Sequence, residues 1–312
     1  SQRPMNRVSK PLNNMNADIK TSNGMPPIFI TPVDDIKNVD HKISIASAQI
    51  KSAIMLAGLY GKDPFTITTP KSRDHTEIML NEFGCNITLE SESINVRPSK
   101  LTSPKTIDIP GDISSAAFFI VGSIISKDSH VKIENVGLNP LRTGFIDILR
   151  MMGACIQISD LKRVNGEIVG NINVESSELE GIEIPKDLIT SSIDELPLII
   201  LAASQAEGKT SFRNAEELRF KESDRISSMV KMMERFNISI DEFKDGMDVH
   251  GGIIEGNTVN SFGDHRIAMT GLLASLVSQG DIIVEDTVNI DTSFPEFIEM
   301  ANNIGMDIKV YD

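Results

Sequence analysis

Hydrophobic positions along the chain alternate between nearly continuous apolar runs and runs with helical spacing, and this plan occurs four times. Each repeat opens with polar residues and an Ala-rich apolar run, as in SIDELPLIILAA at 192–203. That run predicts a buried helix, followed by a turn, a short alternating strand, a second, amphipathic helix and another strand. The repeats begin near residues 47, 112, 192 and 263. The chain is therefore predicted to be an α/β protein.

The first helix of each repeat is hydrophobic all round, so it is predicted to lie enclosed by sheets and by the second helix. A solenoid whose repeats serve only to stack is an alternative. Polar residues at the starts of the buried helices favour a binding role, because helix N-termini present unpaired N–H groups that suit anions. These residues are Ser47, Gln49, Ser114, Ser115, Asp194, Glu195, Asp264, His265 and Arg266.

The segment RPMNRVSKPLNNMNADI at 3–19 has the pattern of the second half of a repeat. We therefore expect the chain to begin in the middle of a repeat. It would then be a fragment of a longer protein, or a chain that has lost a divergent first unit.

Length and composition narrow the class of protein. A chain of 312 residues with 40% hydrophobic and 24% charged residues predicts about two globular domains. No apolar run reaches the length of a membrane span and no signal peptide is recognisable, so a cytosolic protein is expected. A net charge of −14 and the lack of Trp argue against nucleic-acid binding. Any anion site must therefore depend on local clusters of basic residues.

One such cluster is LRFKESDR at 218–225, which is predicted to contain the first turn of the second helix in the third repeat. Lys221 and Arg225 have the wrong charge for a helix N-terminus, so an anionic ligand would explain them. A solvated turn with paired charges remains open. The corresponding SRDHTE at 72–77 places Arg73 beside Ser72, a predicted N-cap. His265 in GDHR is open to interpretation as a core histidine or a ligand-binding one.

Two other signals are weak. EGKT at 207–210 lacks the first glycine of a phosphate loop and joins a helix to a strand. No HExxH or paired-cysteine spacing occurs, so neither a metal nor a cofactor is predicted.

Many ordered motifs together resemble one family, the bacterial 5-enolpyruvylshikimate-3-phosphate synthases. They are RPM, SAQIKSAIMLAGL, SRDHTEIML, PGDISSAAFF, NPLRTG, IDELPL, LRFKESDR, GDHRIAM and SFPEF. The resemblance implies transfer of the enolpyruvyl group of phosphoenolpyruvate to the 5-hydroxyl of shikimate 3-phosphate, with release of phosphate, on the way to aromatic amino acids. It also implies a two-domain enolpyruvyl transferase fold built from repeated βαβαββ units with helices enclosed by sheets.

The resemblance implies a domain crossing near residue 109. Residues 1–109 would be the remainder of an N-terminal, shikimate 3-phosphate-binding domain, and 110–312 a C-terminal domain with the phosphoenolpyruvate-binding and catalytic residues. About the first quarter of the family's sequence would be absent, so the chain alone is expected to be inactive. A monomer without a cofactor is expected. Thr292 stands where some members have a Lys that contacts phosphoenolpyruvate.

Site residues follow from the same resemblance. Shikimate 3-phosphate would be bound by Ser47, Ala48, Gln49, Ser72, Arg73, Asp194 and Lys221. Phosphoenolpyruvate would be bound by Arg3, Gln49, Arg225, His265 and Arg266. Asp194 would be the candidate base for the attacking hydroxyl, Lys221 would share that proton, and Glu222 would protonate the methylene carbon.

Two alternatives remain. The sister enzyme that transfers enolpyruvate to UDP-N-acetylglucosamine shares the fold, although its motifs do not resemble KESDR or SAQIKSA. A catalytically silent fragment is the alternative from another functional class.

Overall fold

Two units of unequal size make up the chain, and the computed structural model describes residues 4–311 of it. The first unit comprises residues 1–109 and 163–168, and the second comprises 110–162 and 169–312. Both mix helices with small sheets. Among residues 4–311, no helix combines the length and the apolar character of a membrane span.

The first unit is built on a four-stranded sheet in the order β3-β4-β6-β5, with a separate antiparallel pair β1-β2. Its elements are α1 (Asn6–Asn14), β1 (Asp18–Ser22), β2 (Met25–Thr31), β3 (His41–Lys42), α2 (Ala48–Gly58), β4 (Phe65–Thr68), α3 (His75–Glu82), β5 (Asn86–Leu89) and β6 (Ser93–Arg97). The core lies where Ile54 and Met55 of α2 meet Phe65 and Ile67 of β4. The helix and strand predicted for 3–19 are confirmed as α1 and β1.

The second unit begins with α4 (Ile113–Ile125), β7 (His130–Gly137), α5 (Gly144–Met151), β8 (Ile156–Val164), β9 (Glu167–Glu175), β10 (Leu179–Glu180) and α6 (Lys186–Ser192), except that residues 163–168, where β8 ends and β9 begins, are counted with the first unit. It continues with α7 (Leu196–Ala203), β11 (Ala206–Glu207), β12 (Lys209–Phe212), a 3-10 turn (Glu216–Phe220), α8 (Arg225–Arg235), β13 (Ile240–Phe243) and β14 (Gly246–His250). It ends with β15 (Thr258–Asn260), α9 (His265–Ala274), β16 (Ile283–Glu285), a 3-10 turn (Val288–Ile290) and α10 (Phe297–Asn303). Its sheets have the orders β7-β9-β8, β10-β11, β12-β14-β13 and β15-β16.

Three apolar helices, α4, α7 and α9, pack against one another in the core of the second unit. All eight residues of α7 are buried, and so are eleven of the thirteen residues of α4. These helices fit the prediction that the first helix of each repeat is enclosed. The prediction is wrong for α2, in which Leu56 is half exposed while Lys51 is buried. One face of α2 therefore carries polar contacts inside the unit.

The second helix of every repeat ends in the same way, before a glycine or an asparagine. The residue following the helix cap has a positive φ at Asn16, Gly84, Gly153, Asn237 and Gly305. Gly and Asn adopt this left-handed conformation at low cost, and the turn sends the chain towards the next segment. That next segment is a strand in four cases. The strand predicted after Gly305 is wrong, because residues 306–311 pair with no strand of the described chain, and a strand exists only through such pairing.

Candidate functional site

The side chain of Arg225 is buried at the start of α8 and contacts three carboxylates. Its Nε lies 2.8 Å from Oδ2 of Asp264, and its Nη2 lies 2.8 Å from Oε2 of Glu222. Its Nη1 lies 3.4 Å from Oδ1 of Asp194. A buried guanidinium needs such partners, because carboxylates must replace the water that it loses. Arg225 is thus the centre of a charged cluster inside the second unit.

Asp194 joins Lys221 to this cluster. Its Oδ1 lies 3.3 Å from Nζ of Lys221 as well as 3.4 Å from Nη1 of Arg225. The two cations beside Asp194, which are Lys221 and Arg225, can bind an anionic ligand. The Asp194 carboxylate, next to the Lys221 ammonium, can exchange a proton with a bound hydroxyl.

The helix in this cluster begins later than predicted. Asp224 is the N-cap of α8 and accepts a hydrogen bond from the backbone N of Ser227 at 3.1 Å, so Lys221 and Glu222 precede the helix. The prediction that Lys221 lies in the first turn of this helix is therefore wrong. The reason is that an N-cap residue has a non-helical backbone conformation. Only in that position, just before the helix, can the Asp224 carboxylate accept hydrogen bonds from the free N–H groups of the first turn. Glu222 still reaches Arg225.

Asp264 connects the starts of two helices. It is the N-cap of α9 and accepts from the backbone N of Arg266 at 2.9 Å, while both its oxygens accept from the Arg225 guanidinium. Burial alone would raise the pKa of Asp264, but the charge and hydrogen bonds of Arg225 hold that pKa below its ordinary value of 3.8. Asp264 is therefore ionised at neutral pH.

Arg266 is held by a second buried carboxylate. Its Nη1 donates to the backbone O of Asp194 at 2.9 Å and to Oε1 of Glu195 at 3.1 Å. The hydroxyl of Ser114 donates to the same Oε1, and Nη2 of Arg142 donates to Ser114 Oγ at 2.8 Å. Burial raises the pKa of Glu195, against the opposing charge of Arg266. Arg266 is thus fixed next to Asp194.

His265 is the first residue of α9 and is half-buried. Burial lowers its pKa below 6.5, although the adjacent Asp264 acts in the opposite direction. The imidazole is therefore neutral at neutral pH and can donate or accept one hydrogen bond there without adding charge.

In the first unit, the residues predicted to bind shikimate 3-phosphate lie on two segments. Ser47 is the N-cap of α2, and its hydroxyl accepts a hydrogen bond from the backbone N of Ile50 at 3.4 Å. Ser72 lies in the loop before α3, and its buried hydroxyl has no hydrogen-bond partner among residues 4–311. The prediction that Ser72 caps α3 is wrong, because Asp74 occupies the N-cap position. The Ser72 hydroxyl therefore has hydrogen-bonding capacity that no described residue uses.

The remaining predicted residues have varied surroundings. Ala48 and Gln49 form the first turn of α2, with Gln49 exposed, and the half-buried Arg73 follows Ser72. Arg3 lies outside the described residues. The hydroxyl of Thr292 donates to the backbone O of Asn289 at 2.7 Å.

Several polar residues that fix the proposed ligand-binding side chains were missed or only partly recognised from the sequence: Arg142, Lys51 and Glu77 were given no role, and Asp264, Glu195 and Ser114 only a general one as helix-start residues. Lys51 had a recognisable signal, since a lysine inside an otherwise apolar helix must either face solvent or find a buried acid. Within the described part of the chain, no group of three His, Cys, Asp or Glu side chains is arranged to hold a metal ion.

The sequence matches the profile of the family EPSP synthase (3-phosphoshikimate 1-carboxyvinyltransferase) over residues 1–300. It is 43% identical over 323 residues to the 3-phosphoshikimate 1-carboxyvinyltransferase of Hydrogenovibrio crunogenus, covering 100% of this chain and 72% of that protein. It is 44% identical over 311 residues to the enzyme of the same name from Nitrosococcus oceani, covering 99% and 70%.

Solved structures show the same relationship. EPSP synthase from Acinetobacter baumannii superposes with a TM-score of 0.90 at 40% identity, covering 100% of this chain and 73% of that chain. The enolpyruvyl transferase NikO from Streptomyces tendae has a TM-score of 0.77 at 16% identity, covering 99% and 73%, which shows a shared fold alone. The predicted α/β enolpyruvyl transferase fold is confirmed by these similarities.

Proposed function

Because this chain belongs to the EPSP synthase (3-phosphoshikimate 1-carboxyvinyltransferase) family, we propose that it transfers the enolpyruvyl group of phosphoenolpyruvate to shikimate 3-phosphate. The acceptor is the 5-hydroxyl, and phosphate is released. This reaction belongs to the shikimate pathway towards chorismate and aromatic amino acids. The sister reaction on UDP-N-acetylglucosamine is not favoured, since the curated relatives at more than 40% identity carry the shikimate enzyme's name.

The cluster around Asp194 is the main structural support for the proposed reaction. Its Oδ1 lies 3.3 Å from Nζ of Lys221 and 3.4 Å from Nη1 of Arg225, while Glu222 contacts the other side of that guanidinium at 2.8 Å. Acid, base and cations therefore occur together, as the addition of an alcohol to an enol phosphate requires.

We assign the proton transfers as follows. Asp194, assisted by Lys221, would accept the proton of the 5-hydroxyl as its oxygen bonds to C2 of phosphoenolpyruvate. Glu222 would donate a proton to the methylene carbon, giving a tetrahedral ketal. In the second half, Glu222 would take a proton back from the methyl carbon while the C2–O bond to phosphate breaks, and the proton held by Asp194 and Lys221 would pass to the departing phosphate.

The cations of the second unit would bind the anionic groups of phosphoenolpyruvate. Arg225 and Arg266 are fixed by Asp264 and Glu195, so their guanidinium groups are already oriented before a ligand arrives. Charge-assisted hydrogen bonds from Arg to carboxylate or phosphate contribute about 1.5–3 kcal/mol each. Arg3 and His265 complete the proposed phosphoenolpyruvate set, together with Gln49.

In the first unit, we assign shikimate 3-phosphate to Ser47, Ala48, Gln49, Ser72 and Arg73. The unpartnered hydroxyl of Ser72 supports this assignment, since a buried polar group without a partner is uncommon unless a ligand or water satisfies it. Residues 1–109 would thus bind the acceptor, and residues 110–312 the donor and the catalytic groups.

The test is release of phosphate from phosphoenolpyruvate, measured with and without shikimate 3-phosphate. It is run with this chain alone and with the N-terminal segment of a relative supplied, and UDP-N-acetylglucosamine serves as the control acceptor. The chain alone is expected to be inactive, and release that depends on shikimate 3-phosphate is expected once the segment is supplied. Its absence from both arrangements would refute the proposed reaction.

We also propose that the protein is a cytoplasmic monomer. The cytoplasmic location is inferred from the phosphorylated, membrane-impermeant substrates. Light scattering coupled to gel filtration tests the monomer, and a mass twice 34.2 kDa would contradict it.

A further inference from the structure

Lys51 contacts two segments of the first unit, one through its backbone N and the other through its side-chain Nζ. Its backbone N lies 3.4 Å from the backbone O of Ser47, at the start of α2. Its Nζ lies 3.1 Å from the backbone O of Ser72, in the loop before α3. Two serines that we assign to shikimate 3-phosphate are therefore both hydrogen-bonded to one residue through their backbone carbonyls.

The Lys51 ammonium also pairs with a buried acid. Nζ lies 2.5 Å from Oε1 of Glu77 in α3, and both side chains are almost fully buried. A second contact parallels this one, since Ser52 Oγ lies 2.6 Å from Thr76 Oγ1. Helix α2 is thus tied to the 72–77 segment by two successive residues.

This ion pair is poorly built for stability alone. Oε2 of Glu77 has no hydrogen-bond partner among residues 4–311, and burial raises the pKa of that carboxyl against the effect of Lys51. Replacing a buried ion pair by apolar residues is often neutral or stabilising. A lysine and a glutamate at these positions therefore point to a geometric role.

We propose that Lys51 is a positioning residue for the acceptor site. It holds the backbone at Ser72 against the start of α2, so that the hydroxyls of Ser47 and Ser72 can bind the same phosphate group. This inference rests on the proposed function. Lys51 itself does not contact the substrate. It acts through the Ser72 carbonyl, and its pairing with Glu77 keeps the ammonium in place.

Two single variants separate positioning from general stability. Lys51→Met and Glu77→Gln both remove the ion pair, but only Lys51→Met removes the hydrogen bond to the Ser72 carbonyl. Binding of shikimate 3-phosphate is measured by titration calorimetry, and folding by thermal unfolding. We expect Lys51→Met to weaken binding by about tenfold or more, and Glu77→Gln by less than about threefold. Equal losses in the two variants, or no loss in Lys51→Met, would overturn the inference.

A double variant and a control complete the test. The double variant, Lys51→Met with Glu77→Met, replaces the ion pair by apolar side chains. It should therefore fold even if Lys51→Met alone does not, and it should still bind shikimate 3-phosphate weakly. Tight binding by this folded double variant would also overturn the inference. Lys209→Met removes a more exposed lysine–carboxylate pair in the second unit, in which Nζ of Lys209 lies 2.9 Å from Oδ2 of Asp248, and this variant should bind shikimate 3-phosphate normally. If the unmodified protein does not bind shikimate 3-phosphate, the proposed function fails, whatever Lys51 does.

Discussion

Arg225 and Asp264 form an ion pair that is almost completely removed from solvent, with 2% and 0% of their side chains exposed. They are 39 residues apart in sequence, and each stands at the start of a helix. The pair fixes the orientation of the guanidinium that we assign to phosphoenolpyruvate.

Removing one member of this pair should destabilise the protein strongly. We expect Arg225→Met to lower the free energy of unfolding by about 3–5 kcal/mol, because Asp264 is left buried without its cation. Urea denaturation measures the change. Lys244→Met is the control, since Nζ of Lys244 lies 2.9 Å from Oε1 of Glu216 on the surface and its loss should not be measurable. Similar effects of the two variants would contradict the structure.

The same pair should make stability depend on pH in a defined direction. The pKa of Asp264 is lowered in the folded protein, so its contribution is present above pH 3.8 and is lost as the pH falls through the lower folded pKa. The difference in unfolding free energy between the unmodified protein and Asp264→Asn should therefore be largest near neutral pH and shrink in acid. A difference that is constant from pH 7 to below the ordinary pKa would refute this assignment.

Variants of the predicted catalytic residues should lose turnover without losing structure. Lys221→Met and Glu222→Gln are each expected to lower kcat by about 10²–10⁴-fold in the active enzyme, because each removes a proton-transfer group. Glu217→Gln is the matched control. Glu217 contacts Lys221 at 3.5 Å but is half exposed, and it has no proposed role in proton transfer. Normal turnover in Lys221→Met or Glu222→Gln, with unfolding unchanged, would show that the roles are wrongly assigned.

Ser72 and Ser123 should respond to alanine in opposite ways. The hydroxyl of Ser72 has no partner among the described residues, so Ser72→Ala should not reduce stability but should raise KM for shikimate 3-phosphate. The hydroxyl of Ser123 donates to the backbone O of Val174 at 3.3 Å and contacts Ser129 Oγ at 3.0 Å. Ser123→Ala should therefore reduce stability by about 1 kcal/mol and leave KM unchanged. Thermal unfolding and steady-state kinetics distinguish these outcomes.

Local patterns were sufficient to predict much of the fold. The apolar runs that form α4 and α7 contain too few polar residues for a solvent-exposed face, so their burial could be predicted from composition. Gly84 and Gly153 follow the ends of α3 and α5, where few other residues adopt the required backbone conformation at low cost.

Relationships between distant residues could not be predicted in this way. The pairing of Arg225 with Asp264, and of Lys51 with Glu77, depends on how helices pack, and no spacing along the chain encodes it. The same limit explains the helix start at Arg225. Whether Asp224 lies inside the helix or caps it depends on tertiary contacts, which cannot be read from the sequence.

Asp264 caps α9 and holds Arg225 with the same carboxylate, so the two helix starts cannot change independently during evolution. A substitution at position 225 removes the reason for a buried acid at 264, while the cap still favours Asp, Asn, Ser or Thr there. Among homologues, a change of Arg225 should therefore be accompanied by a neutral capping residue at 264. Directed-evolution libraries should vary the two positions as a pair.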